Sequence, residues 1–137
     1  MSDSCPFCRI VAGERDAFRV YEDDDTLGFL DHAPAVEGHA LVVPKRHVAG
    51  LADMDEATTA ATFTAARRVA LALEAALDAD GSSLFYSSGA AAGQDVFHAH
   101  VHVFPRHEDD PVSFVPSRDS LDAAEGGDLA ARVRDEL

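Results

Sequence analysis

The chain has 137 residues, 47% of them apolar, which suits one compact domain with a sizeable core and gives disorder no compositional basis. Against 25 acidic residues stand 11 basic ones, with Lys45 the sole lysine; the net charge of −14 argues against nucleic-acid binding through basic patches and suits a surface adapted to high salt. No apolar run approaches the roughly 20 residues of a membrane span, and Met1-Ser2-Asp3-Ser4-Cys5 lacks the segments of a signal peptide, so a cytoplasmic protein with no membrane partner is expected.

Cys5-Pro6-Phe7-Cys8 opens the chain. In a cytoplasmic setting a structural disulfide is disfavoured, and no strand precedes the pair as in thioredoxin-like redox motifs. Half of a zinc site is the better reading, with a redox pair left open. Residues 5–12 read as a short helix closed by Gly13. Strands follow at 18–22 and 26–31, joined by the turn Asp23-Asp24-Asp25, and a third at 39–43 ends at Pro44. Asp53-Met54-Asp55-Glu56 has capping-box spacing, predicting a helix that starts with Asp53 as N-cap. Phe63, Ala66, Ala70, Leu73 and Leu77, with Val69 at the edge, recur at helical spacing to about Asp78 and form one buried stripe. Asp80-Gly81 is the expected stop. A strand at 84–87, a small-residue loop at 89–93 and a strand at 97–104 come next. A polar tail then leads to a last helix at 129–136 capped by Asp128. The order predicts an α+β domain with an antiparallel sheet.

The strand at 97–104 carries the strongest signal. Successive strand side chains face opposite ways, so His98, His100 and His102 share one face while Ala99, Val101 and Val103 share the other. Three aligned imidazoles serve either a metal ion, as in His₃ zinc enzymes, or nucleophilic and proton-transfer chemistry. The preceding Ser88-Gly89-Ala90-Ala91-Ala92-Gly93-Gln94 favours the second. It offers backbone amides without bulky side chains, the kind of surface that receives a phosphate, and Gln94 adds an amide donor.

Gly93-Gln94-Asp95-Val96-Phe97-His98-Ala99-His100-Val101-His102 with Pro105-Arg106 resembles the signature of the histidine triad family. Cys5-Pro6-Phe7-Cys8-Arg9-Ile10, Val20-Tyr21-Glu22-Asp23, Phe29-Leu30-Asp31 and Gly38-His39-Ala40-Leu41-Val42-Val43-Pro44-Lys45-Arg46-His47 follow the family's N-terminal half. The resemblance spans about 5–106 of a single expected domain at 1–137, with 107–137 as a tail. It is strongest to the nucleotide-binding protein branch.

The resemblance implies a purine nucleotide phosphoramidase or nucleotidyl hydrolase acting on AMP-type substrates, without an organic cofactor. His100 would attack the α-phosphorus and form a covalent nucleotidyl-imidazole. His102 would contact the phosphoryl oxygens or leaving group, His98 completes the triad, and Gln94 with the Gly93 loop would cradle the phosphate. Asp31 matches the acid that accepts from ribose hydroxyls, His32 follows it at a base-facing position, and His39 would hold or polarise the attacking imidazole. Ser87 stands where that branch commonly has Asn. Asp95 stands where many members have Ser or Thr, and a carboxylate there repels a phosphate unless it points away or receives protons. Cys5, Cys8, His47 and His98 would hold a structural zinc ion, and a homodimer is implied. The alternatives are a dinucleoside polyphosphate hydrolase and a nucleotide-binding interaction protein with incidental turnover.

Overall fold

A computed structural model describes residues 4–137; Met1, Ser2 and Asp3 of the N-terminal stretch lie outside them. Helix α1, Pro6–Val11, starts at Cys5, whose sulfur accepts the N–H of Cys8, and has proline at its first position. Strands β1 (Arg19–Glu22), β2 (Thr26–Leu30) and β3 (Ala40–Pro44) form an antiparallel run. Helix α2 is Glu56–Leu77, followed by β4 (Gly81–Tyr86), β5 (Val101–Arg106) and α3 (Ala123–Glu136). The five strands form one antiparallel sheet in the order β1-β2-β3-β5-β4, as the element order predicts for an α+β domain.

Alternation along the strands divides the core in two. Ala40, Val42, Val101 and Val103 pack against Ala65, Ala66, Val69 and Ala70 of α2. Leu27, Phe29, Leu41 and Val43 face the other way, against Phe7 and Ile10 of α1. The small residues of α2 let the helix lie close on the sheet: a side chain at Gly28 would meet Val69 Cγ2 at 3.2 Å. Gly38 combines a positive φ of 86° with the same crowding, since a Cβ would stand 2.6 Å from Leu77 Cδ1.

Several expected boundaries move. The N-cap of α2 is Asp55, whose carboxylate accepts the N–H of Thr58, while Asp53 belongs to a single 3₁₀ turn before it. The buried stripe is rotated toward Thr62 and Ala65, which leaves Phe63 at its edge beside Tyr86. Asp78 ends α2 in the left-handed conformation, and β4 starts earlier than 84 because Gly81 pairs with Arg106. The last helix begins six residues before 129, capped by Asp122 through Glu125 N–H rather than by Asp128. No helix among the described residues is long and apolar enough to cross a membrane.

Candidate active site and metal centre

The histidine run enters the sheet late. Ladder pairing starts at Val101, and the segment before it is tied down by Ala99 N–H donating to the Val48 carbonyl at 2.7 Å. The alternation persists through this unpaired stretch. Leu41 is the register partner of His102, and the Phe7 ring stands edge-on to both His98 and His100. Phe7 is thus a wall of the triad that the sequence hid in plain view, as the aromatic residue between the two cysteines.

Each ring has a distinct hydrogen-bond setting, and these settings assign the protons. Only a protonated nitrogen can donate to a carbonyl, so His100 Nδ1–H donates to the His98 carbonyl at 2.8 Å. In the neutral His100 ring the lone pair is then on Nε2. The chain beside it starts at a backbone amide: Ala35 N–H donates to His39 Nδ1 at 3.1 Å, which puts the hydrogen of His39 on Nε2. His39 Nε2–H then donates to His102 Nδ1 at 2.9 Å, leaving His102 its hydrogen on Nε2. Asp31 Oδ2 lies 3.5 Å from the same His39 nitrogen. His39 accordingly braces His102 and not the His100 ring it was expected to hold.

Burial pushes the His102 imidazole down to about 4, and the neighbouring His100 and His39 rings add to this against the opposing pull of Asp31 and Asp95. His39 is also lowered, mainly by burial. Both shifts favour the neutral rings that the donor chain requires. Asp31, His39 and His102 offer one ligand atom each within 4.8 Å of one another. A metal on His39 Nε2 would force its hydrogen onto Nδ1, against the Ala35 N–H, so this trio reads as a proton-ordering chain.

His100 and His102 line a cavity of about 870 Å³ together with Phe7, Phe18, Phe29, Asp31, His32 and Asp95. His32 is 91% exposed at its rim. Asp95 Oδ1 stands 3.8 Å from His100 Nε2, so the carboxylate does not point away. Ser87 and Gly93 are not among the walls. Gln94 is buried and turned into the loop: Oε1 accepts Gly89 N–H at 2.7 Å, and Nε2 donates to the carbonyls of Ala49 and Val96. Both its amide hydrogens are committed, which corrects the expectation that Gln94 donates to a phosphate. Instead it fixes the loop that carries Asp95.

His98 faces away from the cavity. Its Nε2–H donates to the Pro44 carbonyl at 2.8 Å, turning the Nδ1 lone pair toward Cys5 and Cys8, each sulfur 3.5 Å away. His47 Nδ1 is 3.2 Å from both His98 Nδ1 and Cys8 Sγ. Tetrahedral zinc with Zn–S of about 2.3 Å and Zn–N of about 2.0 Å has ligand–ligand edges of about 3.3–3.8 Å. The four donors fit a metal site, and the Pro44 carbonyl supplies the partner that fixes the ligating tautomer. Burial pushes the Cys8 thiol up to about 11, with Cys5 adding to it, so metal binding would release protons.

A family model described as HIT domain matches residues 12–109. The chain is 37% identical over 110 residues to an adenylylsulfatase of Arabidopsis thaliana, covering 80% of this chain and 56% of that protein. A zinc-bound histidine triad family protein from Mycobacterium smegmatis superposes with a TM-score of 0.79 at 40% identity, covering 100% of both chains. A histidine triad nucleotide-binding protein from Candida albicans superposes with a TM-score of 0.87 at 28% identity, over 98% of this chain and 97% of that one.

Proposed function

Because the chain belongs to the histidine triad (HIT) domain family, we propose that it is a nucleotidyl hydrolase cleaving purine nucleoside phosphoramidates of the AMP type. The tautomer of His100 carries this reading. With Nδ1–H given to the His98 carbonyl, Nε2 holds a lone pair beside a cavity of nucleotide size. Attack on the α-phosphorus forms an N–P bond and breaks the bond to the leaving nitrogen, which keeps the electron pair and takes a proton from solvent. Water then cleaves the nucleotidyl-imidazole, giving the monophosphate and restoring the Nε2 lone pair, with one water consumed overall.

His102 enters as a neutral donor, its Nε2–H directed to a phosphoryl oxygen where negative charge develops. His39 positions that donor. Asp31 accepts from ribose hydroxyls, a role that suits a carboxylate. Gln94 acts by holding the loop, and His98 through its backbone carbonyl. We assign zinc to Cys5, Cys8, His47 and His98, supported by the two-sulfur, two-nitrogen donor set and by the zinc-bound relative. With four protein ligands it would be structural, fastening the N-terminus to the segment that orients His100.

Hydrolysis of an adenosine phosphoramidate in molar salt tests the reading. Wild type should turn over, and His100→Ala should lose about 10³-fold or more in kcat while still binding AMP. A wild type that binds AMP and hydrolyses nothing would leave a nucleotide-binding protein without turnover.

A further inference from the structure

Among the described residues, Asp95 stands beside the attacking nitrogen and has no part in the proposed reaction. Its Oδ1 stands 3.8 Å from His100 Nε2, and the same oxygen accepts the Val96 N–H at 2.9 Å, which aims the carboxylate at the reaction centre. The loop that carries it is braced by the buried Gln94. Asp16 and Asp31 line the same cavity, against the single guanidinium of Arg15. A negative charge in this position opposes any phosphate, but every substrate of the proposed reaction carries the same phosphate. That penalty is common to all of them. What differs between substrates is the charge of the group that departs.

We propose that Asp95 sets leaving-group specificity, selecting nucleotidyl amines whose leaving group carries a positive charge and rejecting anionic ones such as sulfate. The proposal rests on the hydrolase reading and names its substrate class. As the His100–phosphorus bond forms and the bond to the leaving group breaks, the departing electron pair adds negative charge at the leaving atom. A cationic leaving group is attracted by Asp95 through this step, whereas an anionic one is repelled throughout. At 84% exposure the carboxylate is screened by solvent, so the expected discrimination is about tenfold rather than many orders of magnitude.

The test compares kcat/KM of wild type and Asp95→Asn on an adenosine phosphoramidate of a diamine with its free ammonium, one of an uncharged amine, and adenylyl sulfate. The three bonds differ in intrinsic reactivity, so the quantity read is the ratio of kcat/KM between the cationic and the anionic substrate in each protein. Asp95→Asn should lower that ratio by about tenfold. An unchanged ratio in the variant overturns the assignment. Binding of AMP and of adenosine is measured on the same two proteins, so failure of the hydrolase reading is told apart. If wild type hydrolyses none of the three, Asp95→Asn should still tighten AMP severalfold with adenosine unmoved. Equal affinities for AMP in both proteins would overturn the charge role.

Discussion

At the scale of single residues the proposed chemistry depends on where hydrogens sit. His39→Phe keeps an aromatic ring beside Phe104 but removes the N–H that donates to His102. The expected result is a fall of about 10–100-fold in kcat with KM little changed, partly restored in His39→Gln, which keeps a donor. Equal kcat in wild type and His39→Phe would remove His39 from the positioning role. The His102 ring also couples stability to pH. Its proton affinity is held down to about 4 from the usual 6.5, so between those values the unfolded chain binds the proton and the folded one does not. The contribution is complete above about 6.5 and lost as pH falls toward 4. Melting temperature should decline through this window, with a shallower slope in His102→Gln; an equal slope in both proteins would contradict it. The shared face of the triad was legible from residue type and spacing, whereas Asp31 was marked only by the family resemblance. The inward turn of Gln94 and the use of His98 through its carbonyl were not, because each depends on which nearby backbone group is short of a partner.

At the scale of elements, the sheet order follows from strands whose alternation is plain, as with Val101 and Val103 facing α2. The elements that shifted did so for local reasons. Gly126 and Gly127, both poor helix formers, lie inside α3, whose start the Asp122 cap sets ahead of them. The histidine strand pairs late because its first residues are committed to the Cys/His group, to the Pro44 carbonyl and to Val48. That commitment predicts the effect of metal removal. Isolated protein should carry about one zinc per chain, and chelation or Cys8→Ser should lower the melting temperature by about 10 °C. Absence of zinc, with an unchanged melting temperature in chelator, would leave the cysteines as small core residues.

At the scale of the whole molecule, a net charge of −14 works against an anionic substrate. The Debye length shrinks from about 10 Å at 0.1 M to about 3 Å at 1 M salt, so molar potassium chloride confines that field to the site itself. Catalytic efficiency should therefore rise with salt, and a monotonic fall would contradict the reading of the acidic surface. Strand β4 is an edge of the sheet, and Leu84, on its α2 side beside Val103, is exposed along with Leu71 of α2. We read this as the face a second copy covers in the implied homodimer. Sedimentation in the same salt series checks it, a monomer mass throughout being the contrary result.

In the proposed reaction His100 Nε2 forms a bond to phosphorus. Rapid quenching of the enzyme with an adenosine phosphoramidate, followed by mass analysis of its peptides, tests this directly. An adenylyl group on His100 that appears and decays at the rate of turnover is the predicted result. Turnover with no adduct, or with the adduct on another residue, would contradict it.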